Sequence, residues 1–144
     1  MLTYERFGMM RLRQFVAPEL ITELSNWEFM DQLWIGEAVG FTEWLRPVDR
    51  SDEVRSISLD LVELSPELST AVFERLGLPL RTGMTRQEVE AALAAPSRVE
   101  RFVNDRESLV FRFGAPCSYD VDCTIHQEQG LIYVVVMVPP DTCK

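Results

Sequence analysis

One histidine, three cysteines and twenty-three carboxylates are the side chains from which this chain could build a reaction or a metal site. His126 stands alone, so neither a two-histidine metal site nor an HExxH motif exists. In the alternating pattern over 119–126, His126 shares a face with Asp120, Asp122 and Thr124. A metal on His126 and Asp122 would need ligands from other segments. A general base there would need a substrate proton within reach and a positioned partner. A polar, solvated strand face is the plainer expectation.

Cys117 and Cys123, with His126, are the residue types of a thiol nucleophile. Cys123 falls on the apolar side of the alternation, where a small buried thiol is expected. Cys117 sits in a turn, with no local signature of an activated thiolate. Asp52-Glu53, Asp60 with Glu63, and Asp120 with Asp122 are carboxylate pairs of the kind that glycoside hydrolysis uses, yet no motif surrounds them. No GxGxxG, P-loop or GxSxG pattern occurs. The expectation is a chain that is not an enzyme and carries no cofactor and no metal.

The aromatic residues point elsewhere. Trp27, Phe29, Trp34, Phe41 and Trp44 crowd one short stretch with Glu28, Asp31, Glu37 and Glu43. Buried tryptophans are the ordinary reading. The other is a set of aromatic anchors rimmed by acid, as binding hot spots are built. On that reading Trp27, Trp34, Phe41 and Trp44, with Glu37 and Glu43, form the partner-binding site.

Composition narrows the partner. The net charge of −9 disfavours nucleic acid and anionic membranes, and it suits a basic protein. The acid is spread along the chain, and its plainest effect is solubility. Lys144 is the only lysine; every other basic residue is arginine. The first seven residues lack the apolar core of a signal peptide, and the longest apolar run, 131–138, has only strand length. An odd cysteine count excludes a full disulfide framework and fits a reducing cytoplasm, although a Cys117–Cys123 bridge is conceivable.

The elements that must position these residues are clearest after residue 64. Ser65-Pro66-Glu67 reads as a cap, a first-turn proline and an acid at the helix N-terminus, and Leu68, Val72, Phe73 and Leu76 follow at helical spacing. The prediction is a helix over 66–76, closed by Gly77. Thr85-Arg86-Gln87-Glu88 is a capping box with Met84 and Val89 placed as a staple, and Pro96 forbids continuation, so a helix runs over 86–94. Strands follow over 98–103, 108–113, 119–126 and 131–138, separated by turns at 104–107, 114–116 and 127–130. Val99 and Val103 fall on one face of the first. The last is apolar on both faces and belongs in the middle of its sheet. Residues 54–63 read as a further strand and 41–45 as another. Leu20, Leu24, Trp27 and Trp34 suit one face of a helix that begins near Pro18, although Asn26-Trp27-Glu28 is an alternative end for it.

The expected fold class is therefore α+β, helices packed on one face of an antiparallel β-meander. Residues 1–144 form a single domain, with an N-terminal α/β portion over 1–64 and a helix-helix-four-strand portion over 65–138.

The run Gly83-Met84-Thr85-Arg86-Gln87-Glu88-Val89, then Leu93-Ala94-Ala95-Pro96 and strands, resembles the SmpA/OmlA family of small outer-membrane assembly proteins over residues 78–138. The β-lactamase inhibitory protein fold, two such units in tandem, is similar. Ala94 stands where that family carries glycine, and the family's lipobox cysteine is absent. The resemblance implies a scaffold that binds proteins. Together these readings predict a non-enzymatic protein-binding module of the immunity or inhibitor kind in the cytoplasm. The alternatives are a small-ligand-binding domain, an enzyme whose site is assembled across segments, and a subunit of a larger assembly or homo-oligomer.

Overall fold

The computed structural model describes residues 1–8, 32–34, 41–43, 56–62, 64 and 66–138. In chain order the elements are α1 (Tyr4–Gly8), β1 (Gln32–Trp34), β2 (Phe41–Glu43), β3 (Ser56–Asp60), α2 (Pro66–Leu76), α3 (Arg86–Leu93), β4 (Arg98–Val103), β5 (Arg106–Phe113), β6 (Tyr119–His126) and β7 (Gly130–Met137). The seven strands form one antiparallel sheet in the order β1-β2-β3-β7-β6-β5-β4. The class is α+β. The expected meander is present as β4 to β7, and β3 joins it beside β7, so strands from both portions of the chain share one sheet.

The central place of β7 follows from its apolar sequence. A strand hydrogen-bonded on both sides and buried along most of its length has little place for charge, and in β7 only Met137 is exposed. The sheet's two faces then alternate row by row. One transverse row is Leu59, Val134, Cys123 and Leu109, and another is Ile57, Val136, Val121 and Phe111. All eight are buried, in one hydrophobic cluster with Val72, Phe73 and Leu76 of α2 and Val89 and Leu93 of α3.

Helix α3 begins as its sequence dictates. The Glu88 amide donates to the Thr85 hydroxyl at 3.2 Å, and the Thr85 amide donates to the Glu88 carboxylate at 3.1 Å. Met84 and Val89 are both buried. The helix ends at Leu93, one residue before expectation, because Ala94 turns to φ 74° and ψ −161°. That conformation is close to a glycine-only region. Gly83 and Gly130 meet at the other end of this unit. The Gly83 amide donates to the Leu131 carbonyl at 2.9 Å, and the Leu131 amide donates to the Met84 carbonyl at 2.8 Å. A Cβ at Gly130 would overlap the Gly83 carbonyl.

Several boundaries differ from expectation. Trp34 lies in strand β1, not on a helix face: its backbone pairs with Phe41 of β2. Leu20, Leu24, Trp27 and the Ser65 cap lie outside the described residues. The turn after β4 is only Asn104-Asp105, so β5 starts at Arg106. The expected strand over 54–63 is β3, Ser56–Asp60, and Leu61 and Val62 already turn away. Val99 and Val103 do not share a face. Val99 pairs with core Leu109, whereas a bulge between Glu100 and Val103 shifts the register and sets Val103 opposite Arg106. One extra residue inverts the phase of everything after it.

Among the described residues, no helix is long and apolar enough to cross a membrane.

Candidate functional site

The second face of the sheet carries the polar side chains, and it is not uniformly solvated. Ser58, Val110 and Asp120 are buried there. Asp120 faces Arg112 across the β5–β6 ladder and accepts two hydrogen bonds from it, at 2.8 and 3.0 Å. A buried carboxylate requires such a partner. The expectation that Asp120 sits on a solvated strand face is thus corrected. Asp122, two residues on, has one oxygen buried without a hydrogen-bond partner. Burial pushes its carboxyl above the ordinary range, against a hydrogen bond from Ser108 that pulls it down.

His126 closes a turn. Its Nδ1 accepts from the Glu128 and Gln129 amides, both at 3.1 Å. That leaves the proton on Nε2, which lies 3.2 Å from Asp105 Oδ2 and donates to it. Asp105 is also held by two bonds from Arg106, which pull its carboxyl below the ordinary range. The Gln127 amide donates to the Asp105 carbonyl at 2.8 Å, so the β4–β5 and β6–β7 turns are fastened together. Both ring nitrogens of His126 serve this joint.

Cys123 is fully buried, and burial pushes its thiol up to about 12, far from a thiolate at neutral pH. Cys117 is disulfide-bonded and Cys123 is free, so the conceivable Cys117–Cys123 bridge is not formed. The remaining cysteine, Cys143, lies outside the described residues. No group of three or more His, Cys, Asp or Glu suited to a metal occurs among the described residues. Of the carboxylate pairs, Asp52-Glu53 and Glu63 fall outside them.

Of the expected partner-binding residues, Trp34, Phe41 and Glu43 are brought together. Among the described residues, β1 and β2 are the last two strands at one end of the sheet, with Trp34 opposite Phe41 and Gln32 opposite Glu43. Trp27, Glu37 and Trp44 lie outside the described residues.

Sequence reasoning missed a groove of about 460 Å³ on the polar face. Its floor is a single transverse row of the sheet: Asp60 of β3, Tyr133 of β7, Thr124 of β6, Ser108 of β5 and Glu100 of β4. Three hydroxyls thus lie between two carboxylates. At about 4.8 Å per strand, four steps span roughly 19 Å of backbone. Val62 and Val103, both exposed, and Ile132 add apolar walls. Alternation alone could have placed the row members on one face. It could not have aligned them, since that needs the register.

Comparison with protein-family models, with curated proteins and with solved structures finds no match to this chain.

Proposed function

We propose that this chain is a non-enzymatic protein-binding module, of the kind that serves as an immunity or inhibitor protein, and that it meets a basic partner through the β1–β2 end of its sheet. The observation that carries the reading is the pairing of Trp34 with Phe41 in the two outermost strands, with Glu43 in the same ladder. An outer strand, as β1 is among the described residues, offers a row of backbone donors and acceptors to a partner. Aromatic anchors beside acid supply affinity and charge complementarity to it.

The commitments of the reactive groups support the same reading. His126 fastens two turns, Cys123 is buried, Cys117 is bonded and Asp120 is held by Arg112. The SmpA/OmlA-like scaffold, with helices on one face of the sheet, belongs to this proposal too. Ala94, where that family carries glycine, holds a positive φ. The cytoplasmic expectation and the disulfide at Cys117 pull in opposite directions, because structural disulfides persist in oxidising compartments. Alkylation mapping of Cys117 in protein isolated without reductant decides between them.

The test is affinity capture from the source cell's lysate with wild type beside a Trp34→Ala, Phe41→Ala variant shown by circular dichroism to remain folded. Capture of one stoichiometric partner by wild type alone supports the proposal. Equal capture by both moves the contact elsewhere, and no capture by either removes the proposal's support.

A further inference from the structure

Among the described residues, β4 ends the sheet opposite β1, so its outer edge is independent of the proposed β1–β2 contact. The strand is open along its length. Arg98, Val99, Arg101 and Val103 are all exposed, the two valines at 45% and 52%. The buried core row Leu59, Val134, Cys123 and Leu109 runs outward onto Val99, and there burial stops. Arg98 and Glu100, either side of Val99, belong to the other face and are bonded at 2.7 Å. A further strand laid against β4 would bury Val99 and pair the backbone groups of the edge.

The sequence of β4 is itself the complement that such a strand needs. In an antiparallel pair about a two-fold axis normal to the sheet, each face continues from one copy into the other. Centred on Val99, this pairing sets Val99 against Val99 on the core face. It sets Arg98 against Glu100 twice on the other face. Centred on Arg98, Glu100 or Arg101, it opposes like charges, which destabilises a strand pair. Further along, the bulge between Glu100 and Val103 interrupts the ladder. Only the Val99 register is free of these conflicts. It also keeps the existing Arg98–Glu100 ion pair. Four charges of alternating sign close a ring, and no residue gives up its partner.

We propose that two copies of this chain join edge to edge through β4, antiparallel and centred on Val99, in one sheet that crosses the two-fold axis. A contact this short belongs with weak, concentration-dependent interfaces.

Sedimentation equilibrium from micromolar to millimolar chain, at about 0.15 M salt, tests this. Wild type shows a reversible monomer–dimer equilibrium. Glu100→Arg leaves arginine at both positions, and Arg98→Glu leaves glutamate at both. Each weakens the dimer by about tenfold or more, because like charges then face each other. An equimolar mixture of the two variants dimerises again, since each supplies the charge that the other lacks. Circular dichroism checks that both variants are folded. Isotope-filtered spectra of mixed labelled and unlabelled wild type show Val99 methyls of one copy against Val99 methyls of the other, a readout that needs no variant. Trp34→Ala with Phe41→Ala leaves the equilibrium unchanged, so this proposal and the β1–β2 contact fail separately. The proposal falls if wild type stays monomeric to millimolar concentration. It falls equally if both charge variants dimerise as wild type does, if their folded mixture stays apart, or if the Val99 contact is missing from the dimer.

Discussion

The two ends of this sheet are built differently. Strands β4 to β7 have six to eight residues each and follow one another in the chain, and β5, β6 and β7 contribute alternate residues to the core. Strands β1 and β2 have three residues each, and β3 has five. A long alternating strand carries its own signal, since every second residue repeats the same instruction. A three-residue strand offers one repeat. Its place is set by the neighbour that lends it hydrogen bonds, here β3 for β2 and β2 for β1. Position in the fold, not composition, makes Trp34 part of a strand.

All three tryptophans, Trp27, Trp34 and Trp44, lie in the first fifty residues, so their fluorescence reports on that portion, while far-ultraviolet dichroism reports on the whole. Coincident melting by the two probes would make the ends one cooperative unit, and separated melting would make them two. The sharpest perturbation is Phe111→Ala, in the fully buried row of the meander. It should cost about 3–5 kcal/mol and lower both transitions. Trp34→Ala should cost far less if that residue serves a partner. An equal loss in chemical denaturation would place Trp34 in the core and remove the proposed contact.

Ala94→Gly acts on the entry to β4 and should stabilise. Ala94 sits near a glycine-only region, and relief of that strain is about 1–3 kcal/mol before the extra unfolded-state freedom of glycine is subtracted. A fall in melting temperature would mean that the φ of 74° is not strained. Thr85→Ala removes the hydroxyl half of the capping box and should cost about 1 kcal/mol, read from urea midpoints.

The smallest expected change is pH-dependent. Burial raises the Asp122 carboxyl in the folded chain, so the folded state holds that proton more tightly than the unfolded state does. Wild type therefore loses stability as pH rises through the ordinary aspartate range, near 3.9, up to the raised folded value, and the penalty is constant above it. Asp122→Asn should thus be more stable than wild type at neutral pH, with the advantage fading on acidification. A stability difference independent of pH would mean that desolvation of the charge is not the cause.

Short-range chemistry along the chain specifies the local elements. Thr85 and Glu88 three residues apart start α3, Pro66 starts α2, and the alternation of Tyr119, Val121, Cys123 and Ile125 makes β6 and its buried face. The apolar run of β7 demanded the middle of a sheet. Tertiary structure decided everything that depends on register. The bulge between Glu100 and Val103 moves Val103 to the polar face, and no residue type there announces it. Asp120 becomes buried because Arg112 lies directly across from it. Asp60, Glu100, Ser108, Thr124 and Tyr133 are spread over the chain from position 60 to position 133, yet they form one groove floor because five strands align them. Local sequence sets which face a side chain takes, through the two-residue period of the strand. Which side chains then become neighbours is set by long-range pairing, which no short stretch of sequence encodes.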